Sequence, residues 1–259
     1  MTEVLFNGHA GRLEGRYHQS DNPNAPIALI LHPHPQYGGT MNNKVVYTLF
    51  SCFEKLGFSV LRFNFRSVGR SQGEFEDGPG ELSDATVALD WLQAVNPEAR
   101  QCWIAGYSFG AWIGLQLLMR RPDINNFIAV SPPANEKDFS FLAPCPTSGL
   151  VIQGGQDEIV NPASVAQMAK RLNTQRNVEV DFALIEEGDH MYNNRLVDLY
   201  KITGNYVIGA MQKKTPQKKR RGRRKKSELE NEDETLLLEN DSDMDNELED
   251  DFIDDEDEE

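Results

Sequence analysis

Cys102-Trp103-Ile104-Ala105-Gly106-Tyr107-Ser108-Phe109-Gly110-Ala111 is the stretch on which the reading of the whole chain turns. Cys102 to Ala105 is an apolar run of strand length. Ala111 to Met119 spaces its apolar residues as a buried helix does. One serine stands between the two runs, with a glycine two residues to each side. A tight strand-to-helix turn strains the backbone at its apex and leaves no room for side chains at those flanking positions, so glycine is what the turn requires. The serine hydroxyl is then held above a sheet edge at a helix N-terminus, where developing negative charge is stabilised.

On either side of this turn, short strands and helices alternate. Val4–Phe6 and Arg12–Tyr17 read as an opening hairpin around Asn7-Gly8 and Gly11. Ile27–Leu31, Ser59–Phe65, Phe127–Val130, Leu150–Ile152 and Val178–Leu184 read as further strands. Lys44–Leu56, Leu82–Val95, Pro162–Leu172 (capped by Asn161) and Val197–Met211 read as helices. His32 to Thr40 holds two prolines and two glycines, which argue against regular structure. The alternation predicts an α/β domain with a mainly parallel sheet and helices on both faces. Functional residues should lie at the carboxyl ends of the strands.

A serine hydroxyl is a poor nucleophile at neutral pH. It needs a general base, and the base needs an orienting acid. Past later strand ends stand Asp157, in Gly154-Gly155-Gln156-Asp157, and His190, in Gly188-Asp189-His190-Met191. Ser108, Asp157 and His190 follow the order of α/β-hydrolases. Asp189 is the weaker rival for the acid, since a sequence neighbour seldom reaches the adjoining imidazole. The tetrahedral oxyanion needs two donors. The backbone N–H of Phe109 is one candidate. The other belongs to the loop after Ile27–Leu31, where Pro33 and Pro35 have no N–H, which leaves His34 or Gln36, and His34 is preferred. His32 reads as a histidine bracing that loop. His32 and His34 lack a nearby carboxylate or cysteine, so no metal site is read, and no cofactor is expected. Arg66-Ser67-Val68-Gly69-Arg70-Ser71 reads as a turn pinned by its arginines to the sheet.

At these residues the sequence resembles the α/β-hydrolase superfamily. More narrowly, it resembles a group of small bacterial hydrolases. The motifs that carry the likeness are His32–Pro35, Gly38–Met41, Asn43–Val46, Phe63–Arg66, Gly69–Ser71 and Gly106–Gly110, and it spans roughly residues 4–211. It departs at Ser67, where such loops usually carry glycine, and at Met191-Tyr192, where a double aromatic is common. The resemblance implies hydrolysis of an ester or related acyl group without naming the substrate. A peptidase or thioesterase would use the same residues. Many relatives insert a cap between Ser131 and Gly149. Here that segment is short, which predicts a compact domain without a large lid and an open pocket. Tyr37, Phe109, Phe139, Phe141 and Tyr192 are its candidate lining residues.

Three widely spaced cysteines, Cys52, Cys102 and Cys145, argue against a disulfide framework and for a reducing compartment. No signal-peptide pattern or membrane-length apolar run is read, so a cytoplasmic protein is expected. The net charge of −15 is concentrated at one end. Residues 213–226 hold ten Lys and Arg and no acid, and residues 227–259 hold 19 Asp and Glu and no base. Residues 1–212 are left with a net of −6, an ordinary domain. The expected organisation is a catalytic domain over 1–212, a basic disordered segment over 213–226 and an acidic disordered tail over 227–259. Lys213–Lys226 and the acidic tail are candidate contacts for protein or nucleic acid, and a protein working through this tail on a hydrolase scaffold is the alternative reading.

Overall fold

The computed structural model describes residues 1–176 and 178–214. In chain order the strands are β1 (Thr2–Gly8), β2 (Gly11–His18), β3 (Ile27–Leu31), β4 (Ser59–Phe63), β5 (Cys102–Tyr107), β6 (Ile124–Val130), β7 (Gly149–Gly154) and β8 (Val180–Ile185). The helices are α1 (Lys44–Lys55), α2 (Pro79–Val95), α3 (Phe109–Leu118), α4 (Pro162–Leu172) and α5 (Leu196–Lys214). The strands make one sheet in the order β1-β2-β4-β3-β5-β6-β7-β8. β2 is antiparallel to both its neighbours, and every other pairing is parallel. This is the α/β-hydrolase fold that the sequence predicts.

Period-two alternation sorts the side chains of the central strands between two cores. Leu29, Leu31 and Ile104 face the layer of α2, α3 and α4. Ala28, Ile30, Trp103, Ala105 and Tyr107 face the layer of α1 and α5. The first turn of α1 is capped by the Asn43 side chain, which accepts the Val45 N–H at 2.9 Å. A cap contributes about 1 kcal/mol. Burying Val45, Val46, Leu49, Phe50 and Phe53 contributes about 1.5–3 kcal/mol each. Packing, not capping, therefore holds this helix.

The element ends differ from expectation where polar residues disguise them. β6 begins at Ile124, because Asn125 accepts the Cys102 N–H at 2.8 Å and so belongs to the ladder's edge. α2 begins at Pro79, with the buried Glu81 carboxylate accepting the Gly78 N–H at 2.7 Å and the Glu76 N–H at 3.1 Å. The proline-rich loop after β3 contains a short 3-10 turn, Pro35–Tyr37. Between β6 and β7 there is only a second such turn, Ser140–Leu142, so no cap domain stands over the sheet.

No helix among the described residues is long and apolar enough to cross a membrane. The expectations for the basic and acidic tail segments lie outside the described residues beyond Lys214.

The connection from β3 to β4 runs one way along the sheet. The connection from β4 to β5 crosses back to the other side of β3. A crevice opens at such a reversal, at the carboxyl ends of the strands. Ser108 follows β5 at this place.

Candidate active site

Ser108 has φ 52° and ψ −118°, a conformation that L residues rarely adopt, and it caps the start of α3. Its N–H is anchored to the Val130 carbonyl at 2.8 Å, at the end of β6. A Cβ on Gly106 would collide with the Gly110 carbonyl, and one on Gly110 with the carbonyls of Leu31 and His32. Both glycines are thus required. The second also lets the end of β3 press against the start of α3. The Phe109 N–H is the first of the donors that a helix N-terminus leaves unpaired.

That close approach brings the loop after β3 to the serine. The His34 ring lies 4.9 Å from the Phe109 ring, 4.9 Å from Phe75 and 4.6 Å from Tyr37. Its Nδ1 accepts the Gln36 N–H at 3.2 Å, and its carbonyl accepts the Tyr37 and Gly39 N–H groups at 3.1 Å. Burial, opposed by Asp77, holds the His34 imidazole below its ordinary pKa.

His32 uses both ring nitrogens. Nδ1–H donates to the Pro33 carbonyl at 2.6 Å, and Nε2 accepts the Phe65 N–H at 2.9 Å. These bonds fix one neutral tautomer and brace the loop. Burial pushes its pKa down to about 3. Between pH 6.5 and about 3 the unfolded chain therefore binds a proton here that the folded chain does not. Stability should fall as pH drops through that window, by up to about 1.4 kcal/mol per pH unit from this residue. Urea denaturation at pH 7 and pH 5 tests this against His32→Gln, which lacks the titrating group. Equal pH slopes in the two proteins would refute it.

Asp157 and His190 stand past the ends of β7 and β8. His190 Nδ1 is 2.8 Å from Asp157 Oδ2. The other oxygen of Asp157 accepts the Ile159 N–H at 2.9 Å and the Val160 N–H at 2.7 Å. Burial would raise this carboxyl's pKa. The His190 ring and the two backbone donors outweigh it and hold the group below its ordinary value. Asp189, the rival acid, accepts instead from the backbone and side chain of Asn193, at 2.8 and 2.7 Å.

The matching family model is that of the X-Pro dipeptidyl-peptidase (S15 family), over residues 16–256. The chain belongs to this family. It is 50% identical over 212 residues to an uncharacterized protein of Rickettsia prowazekii, a match spanning 80% of this chain and 89% of that one. A solved protein of unknown function from Agrobacterium tumefaciens superposes with a TM-score of 0.80 at 52% identity, covering 82% of this chain and 98% of its own. An α/β serine hydrolase without lid from Xanthomonas campestris gives 0.72 at 32%, covering 81% and 94%. This S15-family chain is thereby a member of the α/β serine hydrolases.

The aromatic residues expected around the pocket do not form one wall. Tyr37 is exposed, and its ring meets that of His34 at a tilt of 43°. Phe139 and Phe141 stack on each other at 5.9 Å and pack against the core on the α2–α3 side. Tyr192 is a correction. It is wholly buried, with φ 55° and its hydroxyl 2.8 Å from Ser131 Oγ, so it cannot face a ligand. A second correction concerns the arginine turn. Arg70 does reach the sheet, at Glu14 of β2. Arg66 is pinned to Asp84 of α2 instead.

Two supporting residues are not singled out by the sequence. Gln153 is fully buried and donates to Asp157 Oδ2 at 3.0 Å. It lies on β7 four residues before Asp157, and only the rarity of a glutamine in a parallel strand marks it. Tyr107 is also buried, and it occupies the variable place in the Gly-x-Ser turn.

Proposed function

We propose that this S15-family protein hydrolyses esters of small acyl groups through Ser108, His190 and Asp157. The observation that carries the reading is the 2.8 Å contact of Asp157 with the inner nitrogen of His190, past strand ends beside the strained serine turn. His190 Nε2 takes the Ser108 proton as Oγ attacks the acyl carbon. Asp157 holds the imidazole in the tautomer with Nδ1–H and stabilises the imidazolium. The Phe109 and His34 N–H groups bind the oxyanion. Each such donor is worth about 2.7–4 kcal/mol in the transition state. The imidazolium then protonates the departing alcohol. Water, deprotonated by His190, attacks the acyl-serine and releases the acid. The catalytic part is residues 1–212, with Tyr37, Phe139 and Phe141 on the outer rim of an uncapped site.

The second reading is removal of an X-Pro dipeptide, favoured by the family model. It requires an acid to hold a free ammonium near the scissile carbonyl. Of the acids that act on His34, Asp77 is engaged by Lys137 at 2.8 Å, and Glu81 by two backbone amides. Glu136 is the exposed acid left on that side. Assay of p-nitrophenyl butyrate against Ala-Pro-p-nitroanilide distinguishes the readings. The ester should be preferred in kcat/KM by on the order of a hundredfold or more. A preference for the anilide, abolished by Glu136→Gln, would establish the peptidase instead.

A further inference from the structure

We infer that Tyr107 is a positioning residue that holds His190 in register with Ser108. The inference rests on the proposed triad and adds to it the device by which two loops far apart in sequence are kept in place. Tyr107 is the last residue of β5 and directly precedes the serine. Its side chain leaves the sheet on the α1–α5 side, where the loop after β8 returns. Its hydroxyl donates to the His190 carbonyl at 2.7 Å, and its ring centroid lies 5.2 Å from the His190 ring. The same hydroxyl is 3.5 Å from Met191 Sδ.

This bond differs in kind from those that Asp157 makes. Asp157 orients the imidazole about its side-chain torsions, whereas Tyr107 fixes the backbone from which the imidazole hangs. That backbone needs fixing. Tyr192 and Asn194, just beyond it, have φ of 55° and 57°, and the segment is held by single turn bonds such as Tyr192 N–H to the Asp189 carbonyl at 3.2 Å rather than by a helix or strand ladder. Because the donor belongs to the residue next to Ser108, a displacement of the elbow carries His190 with it. Burial raises the Tyr107 phenol far above its ordinary value. The hydroxyl therefore remains a donor across the working pH range. A misplacement of about 1 Å at such a site costs on the order of a hundredfold in rate.

Tyr107→Phe removes the hydroxyl and keeps the ring. The control is Tyr17→Phe, which removes a comparable bond, to Asn96 at 3.0 Å, on a remote strand. Ester hydrolysis is measured per folded molecule, with folding followed by thermal melts. Hydrogen exchange is followed over residues 186–193. For Tyr107→Phe, kcat should fall about 10- to 100-fold with KM little changed, and exchange over 186–193 should rise. Tyr17→Phe should lower only the melting temperature. A low-field proton NMR signal from the His190 Nδ1–H should broaden or vanish in Tyr107→Phe alone. If Tyr107→Phe lowers the melting temperature but keeps wild-type kcat per folded molecule, its role is structural and the inference fails while the triad stands. If Ser108→Ala retains turnover, the triad reading falls and the positioning role with it.

Discussion

Ser108→Ala lowers kcat for p-nitrophenyl butyrate by on the order of 10^4- to 10^6-fold if the proposed triad operates. Without the hydroxyl there is no acyl-enzyme, and water must attack the ester directly. The Phe109 and His34 N–H groups, the oxyanion donors of that proposal, remain. A residual acceleration of about 10^3- to 10^4-fold over the uncatalysed reaction is therefore expected. The fold should not suffer, since the Ser108 side chain makes no capping hydrogen bond and alanine keeps the same backbone geometry. A thermal melt within a few degrees of wild type verifies that. His190→Ala should be as severe, and the double variant no worse than either, because residues that act as one unit do not add. Asp157→Asn keeps the shape but favours the wrong imidazole tautomer, at a cost on the order of 10^4-fold. Wild-type turnover by Ser108→Ala would dismiss the serine as nucleophile. Full additivity in the double variant would dismiss the joint action of Ser108 and His190.

The serine turn is legible because its constraints are local. Gly106 and Gly110 are dictated by backbone atoms within a few residues and by β3, and no distant side chain need be known to see why they are glycine. The fully buried strands β3 and β5 are legible for a like reason, since continuous apolar runs bounded by turns have few other uses. The order Ser108, Asp157, His190 follows once the strand ends are placed. The supporting contacts are not legible. Arg66 has carboxylates on either side of it in the sequence, and only the packing of α2 brings Asp84 beneath it. Tyr192 is an aromatic beside a site histidine, which suggests a pocket wall, but its backbone turns at φ 55° and sends it into the core. Ser67, noted for standing where glycine is usual, has φ 66°, which explains the preference and shows that serine tolerates the turn.

Arg66→Ala is expected to destabilise the domain by about 3–5 kcal/mol, a large part of the 5–15 kcal/mol that holds a typical domain together. The Asp84 side chain is fully buried and Arg66 is 4% exposed. The guanidinium meets the carboxylate with two bonds, Nε to Oδ2 at 3.0 Å and Nη2 to Oδ1 at 2.9 Å, and the Arg66 N–H adds a third at 2.9 Å. Gly80 makes room for it, since a Cβ there would collide with the guanidinium. Truncation leaves a carboxylate out of water with one donor, and the penalty is that of an unpaired buried charge rather than of a lost contact. Glu76 also touches Arg66, but from the surface, where it is 54% exposed. Glu76→Gln should therefore cost under about 1 kcal/mol. The pair Arg66→Met with Asp84→Leu, which removes both charges and restores apolar volume, should recover most of the loss. Urea denaturation of the four proteins measures these differences. A cost for Arg66→Ala no larger than for Glu76→Gln would mean that the Arg66–Asp84 pair is solvated. Activity should follow stability here. Arg66 opens the loop that carries Phe75 to the His34 and Phe109 rings, so a loop released at one end loses its packing beside the Ser108 turn.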